Sequence, residues 1–368
     1  MAARAFRKTF CLLLLAIFLS LAVEARASDP LHTAINGPCQ MAFDAAGNLY
    51  VNEEYGNRIL RIDWKKKDVQ VVAGNGKQCC FKENEQARNA SVYRVYSLAL
   101  DPQDNLYVGG RNEIGGAFIR VVDQFTGRIR SVANGREPIS PDGAPAMDAD
   151  LSDPLGIVAF RNGSLFVSAS KFYEIVELGE DAVTFAGNRQ KGFSGDGGPA
   201  LDASFDWPAS LALDAGENLY IADTHNHRIR HIDLKTKDVT TLAGNGTGIP
   251  SGDGGPAARA GIGDLLGIAA DEQGNVFFIE NIAYTVRRFD ASTGQVSVYA
   301  GMGFEGYSGD GGPAAKAKID ACGVALDRAG NLYIADKAHN RIRRVDAGTG
   351  IITTVAGNGH PKGNVVKE

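Results

Sequence analysis

One glycine-rich heptad, Ser-Gly-Asp-Gly-Gly-Pro-Ala, recurs in the sequence and is the first candidate for chemistry. Its three copies occupy residues 194–200, 251–257 and 308–314, and a weaker fourth copy occupies residues 140–146. The carboxylates of the three copies are weak candidates for calcium ligands and belong to Asp196, Asp253 and Asp310. Calcium takes about six to eight oxygen ligands, more than one Asp and one Ser supply, and no lysine follows the glycines as a phosphate-binding P-loop requires. We therefore interpret the heptads as turns that join structural units.

Acidic residues and arginines recur five residues apart, on turns that also carry histidines. The pairs are Glu53 with Arg58, Asp223 with Arg228, and Asp336 with Arg341. This spacing predicts an ion pair that closes each turn. The histidines on these turns are His225, His227 and His339. Three histidines can bind zinc, but His339 lies on a different turn from the other two. We therefore interpret all three as solvated turn residues and expect no metal site.

These motifs belong to a repeat of about 57 residues that occurs six times, and a fixed period of this kind predicts a repeat architecture. Each repeat contains an apolar run that ends at a shared position, occupied by Asp44, Asp101, Phe160, Asp214, Asp271 and Asp327. Each also reads as four short β-branched or aromatic runs bounded by Gly, Asn and Asp, which is typical of strands. Such units, repeated about four to eight times, form a β-propeller. The sequence therefore predicts an all-β fold, a six-bladed β-propeller of four-stranded antiparallel blades.

We expect the propeller to be a single domain of residues 28–368. Its blades are expected at residues 38–76, 95–135, 154–188, 208–246, 265–303 and 321–359. Residues 1–27 combine basic residues, an apolar run and an Ala-Arg-Ala sequence, which predicts a cleavable signal peptide and a secreted or periplasmic protein. The rest of the chain has no second apolar run long enough to span a membrane. The net charge of −5 and the lack of a basic tract argue against a nucleic-acid partner, and we expect a monomer.

The motif Asn-Leu-Tyr-Ile-Ala-Asp occurs at residues 218–223 and again at residues 331–336. With the residues that follow it, this motif resembles the NHL-repeat propellers. The heptad loops are more narrowly similar to those of secreted bacterial propellers and of the teneurin ectodomain. The resemblance implies the propeller fold over all six repeats but little about activity, because one fold hosts many unrelated functions. The peptide-amidating lyases of this fold place histidine at the start of inner strands, where this sequence has Cys39, Leu155 and Ala209, so their zinc site is not expected.

Cys39 and Cys322 occupy the same position in the first and last repeats, which become neighbours when the ring closes. We therefore predict a disulfide between them that clasps the ring. Cys79 and Cys80 lie on the joint after the first repeat. They leave other pairings open, with either of these residues or with each other.

The joints between blades and the turns between second and third strands share one face of the predicted propeller. Loops on a rigid scaffold commonly carry function, and aromatic residues are favoured in interfaces. The candidates for a binding surface on this face are Tyr55, Phe172, Tyr173, His225, His227, Tyr284 and His339. We expect a binding scaffold for a protein or glycan partner, without a cofactor. The alternatives are a lactonase-like lyase or hydrolase with a divalent metal at the mouth of the central channel, and a structural module of a larger assembly.

Overall fold

The chain forms six antiparallel sheets arranged as the blades of a propeller. A computed structural model describes residues 29–78, 81–112, 115–135, 142–281 and 283–360. The prediction of an all-β, six-bladed propeller is confirmed. The predicted signal peptide, Cys79 and Cys80 lie outside the described residues. Within them, no helix has the length and apolar character needed to cross a membrane.

The strands are short, and the four main strands of each blade lie side by side in chain order. In blades 2 to 5 an additional two-residue strand precedes them in the chain and pairs with the last of them. Blade 1 contains β1 (Pro38–Phe43), β2 (Leu49–Glu53), β3 (Arg58–Asp63) and β4 (Asp68–Ala73). Blade 2 contains β5 (Glu85–Gln86), β6 (Val95–Leu100), β7 (Leu106–Arg111), β8 (Ala117–Val122) and β9 (Arg128–Ala133). Blade 3 contains β10 (Ala144–Pro145), β11 (Pro154–Ala159), β12 (Leu165–Ala169), β13 (Glu174–Leu178) and β14 (Asp181–Ala186).

The remaining blades repeat this order. Blade 4 contains β15 (Gly198–Pro199), β16 (Pro208–Leu213), β17 (Asn218–Asp223), β18 (Arg228–Asp233) and β19 (Asp238–Ala243). Blade 5 contains β20 (Gly255–Pro256), β21 (Leu265–Ala270), β22 (Val276–Glu280), β23 (Thr285–Asp290) and β24 (Gln295–Ala300). Blade 6 contains β25 (Ala321–Leu326), β26 (Leu332–Asp336), β27 (Arg341–Val345) and β28 (Ile352–Ala356).

The described helices are three-residue 3₁₀ turns. They span Pro30–His32, Ala87–Asn89, Ala146–Asp148, Ser170–Phe172, Ala200–Asp202, Thr224–Asn226, Ala257–Arg259 and Ala314–Lys316. Most of them lie on the joints between blades, and two lie on turns between second and third strands. They are too short to form a layer of their own, so the sheets carry the fold.

The shared aspartate of the repeat fixes the turn between the first two strands of a blade. In blade 4, Asp214 Oδ1 accepts the backbone N–H of Asn218 at 2.9 Å, and Asp214 Oδ2 accepts its side-chain amide at 2.8 Å. The same two bonds form in blades 1, 2, 5 and 6. Blade 3 has Phe160 at this position. Asn162 stabilises that turn instead, by accepting the backbone N–H of Ser164 at 2.9 Å.

The core of the protein is divided among the interfaces between neighbouring blades. Six clusters of buried hydrophobic side chains lie there, including one between blades 6 and 1. The second strand of a blade is buried along most of its length, and in β26 along all of it. Each sheet therefore has two apolar faces, and both are removed from water because a blade packs on either side.

Each heptad forms a joint that contacts two blades. In the joint before blade 5, Gly255 and Pro256 pair with β24 and add a fifth strand to that sheet. The 3₁₀ turn that follows contacts the end of blade 4, where Gly244 N–H donates to the carbonyl of Ala257 at 3.0 Å. The fifth strand is an addition to the four strands predicted for each blade. The proline precedes the 3₁₀ turn as its N-cap and is not its first residue.

A buried arginine from the third strand explains the aspartate of the heptad. Arg230 is fully buried, and its Nη2 donates to Asp196 Oδ1 at 2.9 Å and to the carbonyl of Ser194 at 3.0 Å. Its Nη1 lies 3.3 Å from Asp223 Oδ2 at the end of β17. Arg287 and Arg343 are buried at the same position of blades 5 and 6 and contact Asp253 and Asp310. The joint is thus fixed to its blade by an internal ion pair.

Blade 2 keeps this arrangement although its joint lacks the heptad sequence. Arg120 is fully buried and pairs with Glu83, whose Oε1 lies 3.7 Å from Arg120 Nη2. Glu83 also accepts the backbone N–H of Ser131 at 2.8 Å. Blade 3 has Val176 and blade 1 has Leu60 where blades 2, 4, 5 and 6 have arginine. The aspartate of the joint before blade 3, Asp142, accepts the N–H of Thr184 instead.

The ring is closed by a disulfide and by backbone hydrogen bonds. Cys39 in β1 and Cys322 in β25 are bonded, with their Cα atoms 4.9 Å apart, so the predicted clasp is confirmed. The segment before β1 contacts the end of blade 6, where Gly357 N–H donates to the carbonyl of Pro30 at 2.9 Å. The described strands of blades 1 and 6 pair within their own sheets, so the ring closes without exchange of a strand.

We expect the Cys39→Ser/Cys322→Ser variant to unfold more easily than the parent protein, because the bond closes a loop of 283 residues. The loss is up to about 5 kcal/mol in the loop-entropy description. Denaturant unfolding with and without a reductant measures it. The reductant should lower the stability of the parent protein and leave the double variant unchanged. Equal stability of the two proteins under oxidising conditions would contradict a clasp.

Arg230→Met should lower the free energy of unfolding by about 3–5 kcal/mol, because it leaves Asp223 and Asp196 without their buried partner. The matched control is Arg228→Met, two residues away on the same strand, where the side chain is only partly buried and stacks on Phe193. Arg228→Met should lower the free energy of unfolding by about 1 kcal/mol or less. Chemical denaturation of both variants checks this difference, and equal losses would refute the role given to Arg230.

Candidate functional site

A cavity of about 330 Å³ opens at the mouth of the central channel, on the face that carries the joints. Residues at the start of inner strands and at the end of second strands line it. Its apolar and aromatic lining comes from Val95, Tyr96, Leu155, Trp207, Leu265 and Leu266. Its polar lining comes from Gln40, Glu54, His225, Asp264 and Asn281. The Cys39–Cys322 disulfide also lines the cavity, so the clasp of the ring is part of this site.

Trp207 and His225 form one wall of the mouth. Their rings are stacked, with centroids 5.5 Å apart and an interplanar angle of 22°. His225 Nδ1 lies 3.4 Å from Asp206 Oδ1, and the backbone N–H of His225 donates to the Asp206 carbonyl. Trp207 adopts a left-handed backbone, with φ of 58°. This conformation is uncommon for a bulky residue, and here it holds the indole against the imidazole.

The opposite wall is polar and lies at the seam between blades 1 and 6. Lys337 Nζ lies 2.7 Å from Glu54 Oε2 and 5.2 Å from the centre of the Tyr55 ring. Tyr55 is 61% exposed. Its ring packs on Gly37, where a Cβ atom would lie 2.4 Å from Tyr55 Cδ2. The glycine, whose φ is +63°, is therefore needed for this packing.

Charged pairs alternate around the rim of the mouth. Asp153 before β11 is contacted by Arg111 at 2.5 Å and by Lys171 at 3.3 Å. Asp206 before β16 lies 3.7 Å from Lys191. Both signs of charge are therefore presented around an apolar floor. This combination fits recognition of a partner by shape and by charge complementarity.

The other predicted binding residues lie elsewhere on the same face. His225 is the one among them that lines the mouth cavity in the described structure. Phe172 packs against the core between blades 2 and 3. Left-handed backbone places Tyr173, His227 and Tyr284 at the corner of the turn between second and third strands. His227 Nδ1 lies 3.5 Å from Asp264 Oδ1.

Two of the three predicted acid–arginine pairs do not form. Arg58 Nε donates to Glu53 Oε2 at 2.7 Å, as the spacing predicts. Asp223 and Asp336 contact Arg230 and Arg343 instead, two residues beyond the predicted partners. The predicted partner Arg228 lies 3.8 Å from the centre of the Phe193 ring. Arg228 and Arg230 leave the same face of the strand, but Arg230 is fully buried and reaches the acid. Blade 1 has Leu60 at the position of Arg230, and there the predicted pair forms.

The corresponding arginine of blade 6, Arg341, stacks on Tyr307 with its guanidinium carbon 4.1 Å from the ring centre. His339 supplies the second contact to Asp336 in this blade, at 2.5 Å. The hydrogen bond to Asp336 raises the pKa of His339. Burial raises the pKa of Asp223 to about 6 against the opposing effect of its donors, so Asp223 is ionised at pH 7 and pairs with Arg230.

The weak calcium candidates of the heptads are engaged within the protein. Asp310 accepts hydrogen bonds from Arg343 through Oδ1 and from Tyr307 and Thr354 through Oδ2. Asp196 is shared in the same way between Arg230 and Thr241. Asp253 accepts from Arg287 at 2.9 Å. These carboxylates stabilise the joints.

Sequence reasoning missed the two aromatic residues that line the mouth cavity. Tyr96 and Trp207 lie at or just before the first residues of inner strands. In an antiparallel blade these positions share a face with the turn between the second and third strands. The sequence therefore contained the information needed to find them. Once the strand order is known, residues at the start of an inner strand are expected to face the channel mouth.

The chain was compared with known proteins. The family model described as NHL repeat matches residues 205–232. The Arabidopsis thaliana protein named suppressor of quenching 1, chloroplastic, is 25% identical over 281 residues, which are 72% of this chain and 26% of that protein. Teneurin-1 of Mus musculus is 25% identical over 346 residues, 84% of this chain and 12% of teneurin-1. The chain therefore spans about a quarter or less of the length of these two relatives.

Solved structures show the same fold at low identity. An auxiliary nutrient binding protein from Bacteroides thetaiotaomicron superposes with a TM-score of 0.60 and 16% identity, covering 87% of this chain and 70% of that chain. A gluconolactonase from Xanthomonas campestris gives a TM-score of 0.51 and 14% identity, with 87% of each chain covered. At this identity the likeness concerns the fold.

We expect His339→Gln to destabilise the protein more in mildly acidic than in alkaline solution. Because the folded state has the higher pKa, the stabilisation by His339 is fully present below its unfolded pKa of about 6.5 and is lost as the pH rises through the folded value. The groups that face it are Asp336, Asp320, Arg341 and Tyr307.

Urea unfolding at about pH 5.5 and about pH 8.5 measures the difference between parent and variant. The exposed His360 makes no ion pair with a described residue, so His360→Gln is the control. A difference that stays the same at both pH values would contradict the protonated contact with Asp336.

Proposed function

Because the chain is an NHL-repeat β-propeller, we propose that it is a non-enzymatic scaffold that binds a partner protein at the mouth of its central channel. A glycan is the alternative ligand. The observation that carries the proposal is the apolar cup at the mouth, formed by Tyr96, Trp207 and aliphatic side chains and surrounded by charged pairs. Aromatic anchors within a polar rim are typical of the centre of protein interfaces.

The aliphatic floor favours a protein over a glycan. Leu155, Leu265 and Leu266 offer no hydrogen bonds from their side chains to sugar hydroxyls, whereas they suit an apolar side chain of a partner. The rim offers both acids and cations, and charges of both signs suit a polypeptide partner. We further propose that the protein acts as a monomer outside the cytosol. The Cys39–Cys322 disulfide supports an oxidising compartment, and the sequence of residues 1–27 supports export to the periplasm or extracellular space.

The competing proposal, a metal-dependent lyase or hydrolase, needs free metal ligands at the channel mouth. Among the described residues, the group of three potential ligand atoms that comes together there belongs to Cys39, Glu54 and Cys322, within 4.8 Å of one another. Both sulfur atoms form the disulfide and are not free to bind a metal. These residues therefore do not fit a catalytic metal, and the binding proposal is preferred.

The proposal is tested by capture of partners from the extracellular fraction of the host with the folded protein as bait, together with a glycan array. Trp207→Asn removes the aromatic anchor and keeps a residue that tolerates the left-handed backbone. We expect this variant, and Tyr96→Ala, to weaken binding of the captured protein about 30-fold or more, as loss of a central anchor does.

The matched control is Phe125→Ala. Phe125 is 87% exposed and lies on the turn after β8, on the opposite face. Its loss should leave the affinity unchanged. Binding that survives loss of both mouth aromatics, or that depends on Phe125, would exclude the channel mouth. Specific binding on the glycan array without a captured protein would replace the protein with a glycan.

A further inference from the structure

A second, smaller cavity lies between blades 5 and 6 on the same face and has a volume of about 230 Å³. Its polar lining comes from Glu280, Asn281, Tyr284, Thr285 and Asp320. These side chains offer oxygen atoms in two carboxylates, an amide and two hydroxyls. Asn281 is exposed and Asp320 is half-buried, so the cavity is accessible from solvent.

Glu280 is the deepest of these groups and is only half satisfied. The residue is 1% exposed. Its Oε1 accepts the backbone N–H of Gly263 at 2.8 Å and lies 3.3 Å from Arg287 Nη1. Its Oε2 is buried and has no hydrogen-bond partner among the described residues. A buried carboxylate oxygen without a partner is costly, and burial accordingly raises the pKa of Glu280.

The equivalent acids of blades 1 and 4 have a donor on each carboxylate oxygen. In blade 1, Arg58 donates to Oε2 of Glu53. In blade 4, the amide of Asn226 donates to both oxygens of Asp223, at 2.9 and 2.8 Å. In blade 6, His339 contacts Oδ1 of Asp336, and Oδ2 lies 3.6 Å from Arg343 Nη1 without a hydrogen bond.

Blade 5 has replaced each of these donors. Thr285 pairs with Glu280 in the register in which Arg58 pairs with Glu53. Ala283 stands three residues after Glu280, as His339 stands three residues after Asp336. Neither Thr285 nor Ala283 carries a positive charge. The cavity therefore lies where the other blades place a donor or a cation.

Asp320 adds a second carboxylate to the same cavity. Its backbone N–H donates to Asp336, but its carboxylate accepts no hydrogen bond from a described residue. Burial, and then the negative charge of Asp336, raise the pKa of Asp320. Two acidic groups with an unfavourable ionised form thus face one small space, and a bound cation would lower the cost of ionising both.

We propose that this cavity binds a calcium ion, which supplies Oε2 of Glu280 with the partner that blades 1 and 4 supply to the equivalent acid from their own side chains. The donors are all oxygen, which suits a hard cation and not zinc. The volume exceeds the roughly 30 Å³ of one water several-fold, so the ion is bound with waters completing its coordination. The amide and hydroxyl oxygens beside the carboxylates form an irregular set, which suits the flexible six- to eight-fold coordination of calcium better than magnesium, which demands near-ideal octahedral geometry.

The full chain, treated with EDTA and dialysed, is titrated with CaCl₂ and separately with MgCl₂ by calorimetry, and its thermal midpoint is recorded with each ion. We expect one calcium per chain, a dissociation constant of about 10⁻⁴–10⁻³ M, a higher thermal midpoint with calcium, and weaker binding of magnesium. Glu280→Gln and Asp320→Asn should each weaken calcium binding at least about ten-fold. Glu272→Gln, at an exposed position on the opposite face, should bind as the parent does.

Thr285→Arg places in blade 5 the arginine that blade 1 has at this position. We expect this variant to fold and to lose its response to calcium, because the guanidinium occupies the place of the ion. This variant also distinguishes loss of the calcium site from loss of the fold, since its thermal midpoint without calcium should not fall below that of the parent protein. Absence of calcium binding to the parent at about 10 mM, equal binding by Glu280→Gln, or full calcium binding by a folded Thr285→Arg would each overturn the proposal.

Discussion

The buried faces of the sheets impose the constraint on which the rest of this molecule depends. Each blade has apolar side chains on both faces, and the second strands are buried along most or all of their length. A single sheet of this kind cannot hide both faces from water. Each blade is therefore stable only with a neighbour on either side, and the array must close. The contact between blades 1 and 6 is as necessary as any contact between blades that follow one another in sequence.

Closure of the ring explains why the disulfide and the ion pairs of the joints lie where blades meet. The Cys39–Cys322 bond lies at the seam where the first and last blades meet. The heptad joints pair with one sheet and contact the end of the preceding one. The arginine of the third strand fixes such a joint by an ion pair in which the arginine side chain is buried and the aspartate is partly exposed. Removing one member of such a pair leaves an uncompensated charge, so the joint and the strand depend on each other.

The two sites that we propose lie at departures from the repeat. A strictly repeated propeller would present six equivalent corners around its channel. Here Trp207 precedes the inner strand of blade 4, whereas Asp153 and Asp264 occupy that place in blades 3 and 5. Blade 5 has Thr285 where blade 1 has Arg58, and this exchange leaves Glu280 facing a polar cavity. The symmetric part of the sequence builds the scaffold, and the asymmetric part gives separate corners different chemistry.

The sequence by itself determined the period, the order of the four main strands within a blade and the number of blades, and it favoured the pairing of Cys39 with Cys322 over the pairings that Cys79 and Cys80 left open. These follow from register, which is a property of position along the chain. The tertiary structure decided which charges meet. Arg230 and Asp196 are 34 residues apart, and their contact depends on the path of the joint. Spacing alone pointed to Arg228 as the partner of Asp223 because it counts residues along a turn, whereas the pairing depends on which of the two arginines is buried against the joint. The mouth cavity exists only after closure, because residues from all six blades come together there.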